Sequence, residues 1–348
     1  MVAVFWVPAS PVFAHGSEDI PATNYRTEVI SLEPAPDAVT ARVIEAGSRL
    51  ELTNQGPEEI VVLGYEGEPM LRVGPTGVFE NRRSPSIFTS DTRPLAVPPD
   101  ATATAEPRWQ RTSDGVVARW HDHRIDPGQG AKAATASWTV PLRQRDRPIT
   151  LTGTVRHVPG PSPLPWFVAA ALLLAGVAAA AVLRPRRWRV LITAALAITV
   201  VFNVMHSVGR LTASYGPLVN RLFDLFFYPA LGWFAAAVAL RRLARRPPRL
   251  PSAAGFSGMV LFLIGGLGGA GALSNSQLAF SYSPTLARLA VTAALGVGGG
   301  LLVALVNSLF EPLAPGEMME QASAPRDEPD PGSGERETTS PYKGSAGP

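Results

Sequence analysis

Residues 165–189 read PWFVAAALLLAGVAAAAVL followed by RPRRWR, and this stretch decides the class of the protein. The first 19 residues carry no charge, and about 20 apolar residues are enough to cross the hydrocarbon core of a bilayer. Four arginines then fall within six residues. An apolar run that ends in clustered arginines is typical of a transmembrane helix that ends at the cytoplasmic face.

Four more windows of similar length and apolar character follow it along the chain. They are Val190–Val208, Leu222–Leu240, Gly255–Leu273 and Leu289–Phe310. So many long apolar windows in succession are not typical of the core of a soluble domain. Together with Pro165–Leu183, they predict an α-helical bundle of five transmembrane helices over residues 165–310.

The arginines between these windows predict the orientation. The first and third connections are rich in arginine, whereas the second holds only Arg210 and Arg221 and the fourth only Arg288. Short loops rich in Lys and Arg stay in the cytoplasm. We therefore predict a multi-pass plasma-membrane protein with residues 1–164 outside and residues 311–348 inside. That last segment is rich in Pro, Gly and Ser, which predicts a disordered cytoplasmic tail.

Charge and composition exclude several classes of function. Residues 165–310 carry 12 Lys and Arg against 1 acid, whereas residues 15–164 carry 16 against 19. The basic character therefore comes from membrane-flanking arginines, and we predict no nucleic-acid partner. The chain has no cysteine, which excludes disulfides, thiolate metal sites and a cysteine nucleophile.

Small and polar residues within the apolar windows indicate how the helices pack. Gly265 and Gly269 form a GxxxG pair, which predicts either a tight helix contact or a self-association face. Ionisable groups at membrane depth favour a functional hypothesis. Here a polar cluster near the outer surface also fits a simple pairing of Asp224 with an arginine or with His206. The cluster consists of Asn203, His206, Arg210, Arg221 and Asp224.

The N-terminal half is predicted to be an exported all-β domain over residues 15–156. Short runs such as Arg49–Thr53 and Ile60–Leu63 alternate or are continuously apolar, and Pro and Gly separate them. This pattern favours an immunoglobulin-like β-sandwich. Residues 1–14 look like the remnant of a signal peptide whose start lies upstream. Residues 157–164 form a Pro-rich linker, and we expect few contacts across it.

Three histidines of this half could bind copper. On a strand, His121 and His123 would point to the same face, roughly 7 Å apart along the backbone. Cleavage after Ala14 would make His15 the mature N-terminus, with its amine and ring nitrogen available together. Imidazole suits copper. The segment Ala14-His15-Gly16 resembles the processing site of small exported copper-binding β-sandwich proteins, which use such an N-terminal clamp. The alternative is that the pair lies on a polar surface strand.

The chain also resembles an uncharacterised family of actinobacterial integral membrane proteins with an exported ectodomain. The residues that carry this resemblance are His15-Gly16, Thr23–Arg26, Val61–Pro69, Asn81–Pro85 and the motif Trp120-His121-Asp122-His123-Arg124. The family implies no established activity. In it, the last motif often continues with a further His and a Met. Ile125-Asp126-Pro127-Gly128 stands here instead, so any ligands supplied there are lost.

These observations leave two functions open. The sequence contains no GxSxG, Walker or HExxH motif and no GxGxxG after a predicted strand, so we predict no enzyme. The first expectation is an envelope membrane protein whose ectodomain binds an envelope protein partner or acts as a scaffold, with no certain cofactor. The second is a membrane-anchored copper-handling protein that uses His15, His121 and His123.

Overall fold

The computed structural model describes residues 20, 22–90, 95–126, 135–215 and 217–310, without the side chains of residues 224 and 225. His15, the signal-peptide remnant and the tail therefore lie outside the described residues. By its contacts the chain divides into a unit up to Asn307 and a second unit from Ser308. The first unit contains a β domain and a set of helices, which together carry all the features discussed below.

The β domain contains ten strands in the part of the chain that the structure describes. They are β1 (Tyr25–Glu33), β2 (Val39–Ile44), β3 (Arg49–Asn54), β4 (Ile60–Leu63), β5 (Pro69–Gly74), β6 (Gly77–Asn81), β7 (Trp109–Ser113), β8 (Val117–His121), β9 (Thr135–Gln144) and β10 (Arg147–His157). A short helix, α1 (Pro85–Thr89), follows β6. Proline at its first position suits the helix start, where its missing N–H costs no bond.

The strands form two antiparallel sheets. Among the described residues, one has the order β1-β10-β9-β4-β5-β6-β7 and the other the order β2-β3-β8. Leu50 and Leu52 of β3 share one buried core with Val62 of β4 and Leu151 of β10. The apolar alternation of the strands thus faces one sheet toward the other, which confirms a β-sheet domain. The partition differs from the four-plus-three arrangement of an immunoglobulin constant domain, so that finer subtype remains unconfirmed.

The second half of the chain is helical. The helices are α2 (Leu164–Leu183), α3 (Trp188–Ala213), α4 (Leu218–Ala244), α5 (Ser252–Val260), α6 (Pro284–Ala293) and α7 (Gly299–Leu309). The turn Leu261–Leu267 continues α5 as a π-helix, and Ala294–Gly298 joins α6 to α7 in the same way. Within the described residues, four helical segments are long and apolar enough to cross a membrane, the fourth being Pro284–Leu309. The predicted window Gly255–Leu273 is a shorter apolar helix, Ser252–Leu267, followed by a 3₁₀ turn.

Glycines bring the two π-helical segments together. A Cβ on Gly298, in the Ala294–Gly298 segment, would lie 2.8 Å from the amide nitrogen of Phe262, in the Leu261–Leu267 segment, and 2.8 Å from the carbonyl oxygen of Gly258. Both distances are too short for a side chain, so the backbones touch only because hydrogen replaces the methyl group. Gly265 and Gly269 also pack closely within the chain, against side chains of α3 and α6 respectively, while self-association through them stays a prediction.

Candidate functional site

Three sequence motifs that lie far apart along the chain meet at one corner of the β domain. The turn between β4 and β5 carries Tyr65 and Glu68. The start of α1 carries Ser84 and Ser86. The end of β8 leads into a 3₁₀ turn, His123–Ile125. These segments contain the Val61–Pro69, Asn81–Pro85 and Trp120–Arg124 motifs that the sequence singled out. We refer to this region as the motif corner.

Glu68 is a buried carboxylate that holds the first two motifs together. Its Oε1 accepts hydrogen bonds from the hydroxyls of Ser84 and Ser86, each at 2.6 Å, and its Oε2 accepts one from the Glu66 amide at 3.1 Å. Burial by itself raises the pKa of this carboxyl, but the hydrogen bonds outweigh burial and lower the pKa below its ordinary value. A Cβ on Gly64 would collide with the carboxylate, so this glycine leaves the room that Glu68 occupies.

Asp122 ties the third motif to the first. Its Oδ2 accepts from the Trp120 indole at 3.0 Å and from Nη2 of Arg124 at 2.7 Å, and its Oδ1 accepts from Nε of Arg124 at 2.8 Å. The Arg124 guanidinium also donates to the Leu63 carbonyl at 3.1 Å. A bidentate arginine–carboxylate pair is geometrically specific. The pair therefore fixes the β4–β5 turn against the end of β8.

Tyr65 and His123 form the exposed surface of the corner. Their rings stack with centroids 6.1 Å apart, and the Tyr65 hydroxyl accepts from the His123 amide at 3.0 Å. The Arg124 guanidinium lies 5.1 Å from the centre of the Tyr65 ring. Burial chiefly raises the pKa of Tyr65 to about 12, so its phenol stays neutral at physiological pH. Tyr65 nevertheless keeps 37% of its surface exposed.

The two histidines of the motif do not share a strand face. Strand β8 ends at His121, and His123 begins the 3₁₀ turn, so the predicted alternation stops before it reaches the second ring. His121 is buried with Nδ1 3.0 Å from the Ser48 carbonyl. In contrast, His123 places Nε2 2.9 Å from the Thr89 carbonyl and Nδ1 3.2 Å from Asp126. The expected geometry of a two-histidine site is therefore wrong.

Metal ligation was predicted for His15, His121 and His123. Among the described residues there is no group of three or more His, Asp or Glu side chains that could hold a metal ion. His15 lies outside those residues. The copper hypothesis therefore stays a prediction that depends on the N-terminal histidine.

A second cluster joins the β domain to the helices, and sequence reasoning missed it. Glu51 of β3 lies directly opposite Arg42 of β2 and Arg119 of β8. It accepts from their Nε atoms at 2.6 and 2.7 Å. Burial raises the pKa of Glu51, but these two hydrogen bonds outweigh it and leave the pKa lowered. The alternation around Leu50 and Leu52 placed Glu51 on the outward face, but no local signal indicated what covers that face.

Tyr215, in the loop between α3 and α4, packs onto this cluster. Its hydroxyl accepts from Nη2 of Arg42 at 3.2 Å, and its ring lies 4.7 Å from the Arg119 guanidinium. Its amide donates to Oε1 of Glu45 at 2.9 Å. A single loop residue thus contacts both the Arg42–Glu51–Arg119 face of the small sheet and the turn that precedes β3.

The loop between α5 and α6 makes the second connection. Thr23 and Gln277 form an antiparallel bridge through two backbone hydrogen bonds of 3.0 and 2.8 Å. The Ser276 amide donates to Oδ1 of Asn24, and its hydroxyl donates to the Val158 carbonyl at 2.7 Å. A Cβ on Gly160 would collide with the Ser274 carbonyl. The expectation of few contacts across the linker is therefore wrong, because the linker itself packs against this loop.

The members of the predicted intramembrane polar cluster that the structure describes lie in different places. Asn203 of α3 accepts from the Trp233 indole of α4 at 2.8 Å and abuts Gly265, so it joins three helices. Arg221 donates to the carbonyls of Leu211 and Ser214 at the end of α3. His206 lies apart from both, with its ring 5.4 Å from that of Phe280. The side chain of Asp224 lies outside the described residues, so its predicted pairing is untested.

Comparison of the chain with protein-family models, with curated proteins and with solved structures finds no match.

Proposed function

We propose that this chain is a non-enzymatic, five-span membrane protein whose exported β domain is fixed to the outer ends of the helices and binds an envelope protein partner. The observation that carries the proposal is that two separate interhelical loops hold the same β domain. This arrangement fixes the β domain to the helices and leaves Tyr65 of the motif corner exposed for a partner.

The two loop contacts support five crossings rather than four. Tyr215 precedes α4 and Gln277 follows α5, and both contact the β domain. A chain that leaves this side through α4 must return through the next helix to reach Gln277. The helix Ser252–Leu267 has 16 residues, which gives about 24 Å at 1.5 Å per residue. The turn Ala270–Leu273 supplies the remaining length to the outer surface.

The arginines support an outward β domain. The arginine-rich connections 184–189 and 241–249 lie at the helix ends that face away from Tyr215 and Gln277 along the chain path. By the positive-inside tendency these ends are cytoplasmic. This topology predicts that the contacts of both interhelical loops with the β domain form on the outer side of the membrane.

The motif corner has the composition of a protein-binding surface. Tyrosine and arginine are enriched where binding energy concentrates in interfaces. Tyr65 and Arg124 are held by the buried Glu68 and Asp122, so little conformational entropy is lost when a partner binds. A catalytic reading is less well supported. The Ser84 and Ser86 hydroxyls are buried and donate to Glu68, which keeps a substrate away from them.

A site-specific photo-crosslinking experiment tests the binding proposal. A photoreactive amino acid replaces Tyr65 in the full chain in intact cells, and the matched control carries it at Ser113, an exposed residue of β7. We expect one discrete adduct at Tyr65 that His123→Ala weakens and that the Ser113 position does not give. Identical adducts from both positions, or none from Tyr65, would contradict the proposal.

Cysteine labelling tests the topology independently, because the chain has no cysteine of its own. A cysteine at Ser113 should react with an impermeant reagent on intact cells. A cysteine at Ser333 should react only after lysis. The reverse pattern would overturn the orientation.

A further inference from the structure

A cavity of about 330 Å³ lies where the helices meet the first described residues of the β domain. Its walls come from α3, from the glycine-rich end of the α5 π-helical segment, from the Leu278–Phe280 loop and from the start of α6, and Ile20 and Ala22 line it from the β domain. The volume equals roughly ten waters at about 30 Å³ each. It is therefore large enough for a phosphodiester and a small polar group.

The polar wall of this cavity comes from one face of α3. His206 and Arg210, one helical turn apart, both line it. His206 is only 9% exposed. Within the described part of the chain, no hydrogen bond to its ring nitrogens is seen, and its ring lies 5.4 Å from that of Phe280. A buried imidazole without a partner is unfavourable unless a ligand or water bonds to it. A guanidinium beside it suits a phosphate oxygen.

The opposite wall is backbone. Gly268, Gly269 and Gly271 line the cavity and carry no side chain into it. Such glycines let a ligand approach the main chain closely. The rest of the lining is small or apolar, so His206 and Arg210 decide which charge the cavity accepts.

The surrounding charge is positive. The sequence places Arg210, Arg221 and Arg288 toward this end of the helices, against Asp224 as the one acid of residues 165–310. Positive charge at a membrane surface attracts anionic lipids. The environment therefore favours an anion and opposes a cation.

Apolar surface beside the cavity indicates that the anion belongs to a lipid. On α3, Val201 and Met205 are exposed, and on the α5 π-helical segment Ile264 and Leu267 are exposed. These four residues precede the cavity-lining His206 and Gly268 by one to five positions. In the proposed topology both helices run outward, so the four residues lie nearer the middle of the bilayer than the cavity does. Acyl chains can pack on these residues while the headgroup enters the cavity. A soluble anion would gain nothing from them.

We infer that this cavity binds the phosphate headgroup of an anionic phospholipid of the outer leaflet, with His206 and Arg210 as its ligands. The outer-leaflet location depends on the proposed topology. The lining of the cavity does not depend on that topology. Lipid binding can therefore be tested even if the proposed orientation is wrong.

Native mass spectrometry of the full chain, delipidated in detergent, tests the inference. The probes are phosphatidylglycerol, phosphatidylcholine with the same acyl chains, and glycerol 3-phosphate. We expect phosphatidylglycerol to bind at least tenfold more tightly than phosphatidylcholine, and glycerol 3-phosphate not to compete. Arg210→Gln should weaken phosphatidylglycerol binding about fivefold, the size expected for one cation at an anionic lipid surface.

Two further variants separate the site from general effects. Arg221→Gln removes the same charge from a guanidinium that caps α3 and does not line the cavity, and it should weaken binding much less than Arg210→Gln does. Ala279→Leu narrows the cavity without a change of charge and should also weaken binding. It tests the site even if Arg210→Gln fails to fold. Equal binding of the two lipids, or equal losses in the two arginine variants, would overturn the inference. Competition by glycerol 3-phosphate would reassign the cavity to a soluble phosphate.

Discussion

Asp122→Ala offers the sharpest test of the motif corner. Asp122 is the shared acceptor for the Trp120 indole and the Arg124 guanidinium. Its side chain is 1% exposed and that of Arg124 is 20% exposed. Alanine would therefore leave a largely buried guanidinium without its carboxylate. The hydrogen bond that Arg124 donates to Leu63 would lose its support in the same step.

The expected cost follows from this burial. Removing one partner of a buried ion pair costs about 3–5 kcal/mol, because the remaining charge stays desolvated. Arg124 retains some exposure, so we expect the lower end, about 3 kcal/mol in the free energy of unfolding. For a domain of this size that corresponds to a melting temperature lower by roughly 10 °C.

Urea denaturation of the isolated β domain, residues 15–157, measures this cost. The core that contains Leu50, Leu52, Val62 and Leu151 is built only from residues of the β domain, so we expect residues 15–157 to fold without the helices. The matched control is Asp126→Ala, which removes an exposed carboxylate paired with the exposed His123 ring, and should cost less than about 0.5 kcal/mol. The Asp122→Ala/Arg124→Ala double variant should lose less than the sum of the single variants. A loss below about 1 kcal/mol for Asp122→Ala, or strict additivity, would refute the reasoning.

Three further predictions concern the other clusters. The pKa of Glu51 is lowered from its ordinary 4.5, so its carboxylate stabilises the fold above that pH, and this contribution disappears as the pH falls through the lowered value. Glu51→Gln should therefore destabilise the β domain at pH 7 and not in acid, as urea denaturation at both pH values would show. Gly265→Leu should lower the melting temperature of the detergent-purified chain because Nδ2 of Asn203 occupies that space, whereas Gly176→Leu, where nothing lies within 4 Å, should not; similar losses would contradict the packing. Copper(II) titration of a β domain that begins at His15 tests the metal hypothesis: we expect His123→Ala to leave the affinity unchanged because both ring nitrogens already contact protein oxygens, and a tenfold loss would restore His123 as a ligand.

Local sequence patterns predict the secondary-structure elements but not the tertiary contacts between them. The strand around Leu50 and Leu52 was predictable because alternation depends only on the solvent preference of neighbouring side chains. The end of β8 at His121 was not predictable from the sequence. Asp122 turns the chain there by accepting hydrogen bonds from Arg124 and Trp120, and these bonds form only because Asp122 is buried beneath the β4–β5 turn.

For the candidate sites, too, the sequence indicated some of the residues but not the contacts between them. The Trp120–Arg124 motif was visible as a motif, but its contact with Tyr65 and with the α1 segment depends on strand pairings between residues far apart in the chain. Tyr215 carried no signal at all. An aromatic residue in a loop becomes an interface residue only when a folded sheet presents Arg42, Glu51 and Arg119 in register beside it.

The sequence by itself determined that this chain has an apolar helical half, an arginine bias between its helices and a strand-rich half, because each of these follows from the preference of short segments for lipid, water or extended backbone. Only the tertiary structure decided that two interhelical loops hold the β domain, that three motifs form one corner, and that glycines bring two π-helical segments into contact. Those features depend on long-range packing and on the space that a missing side chain leaves, and neither is encoded in any single stretch of residues.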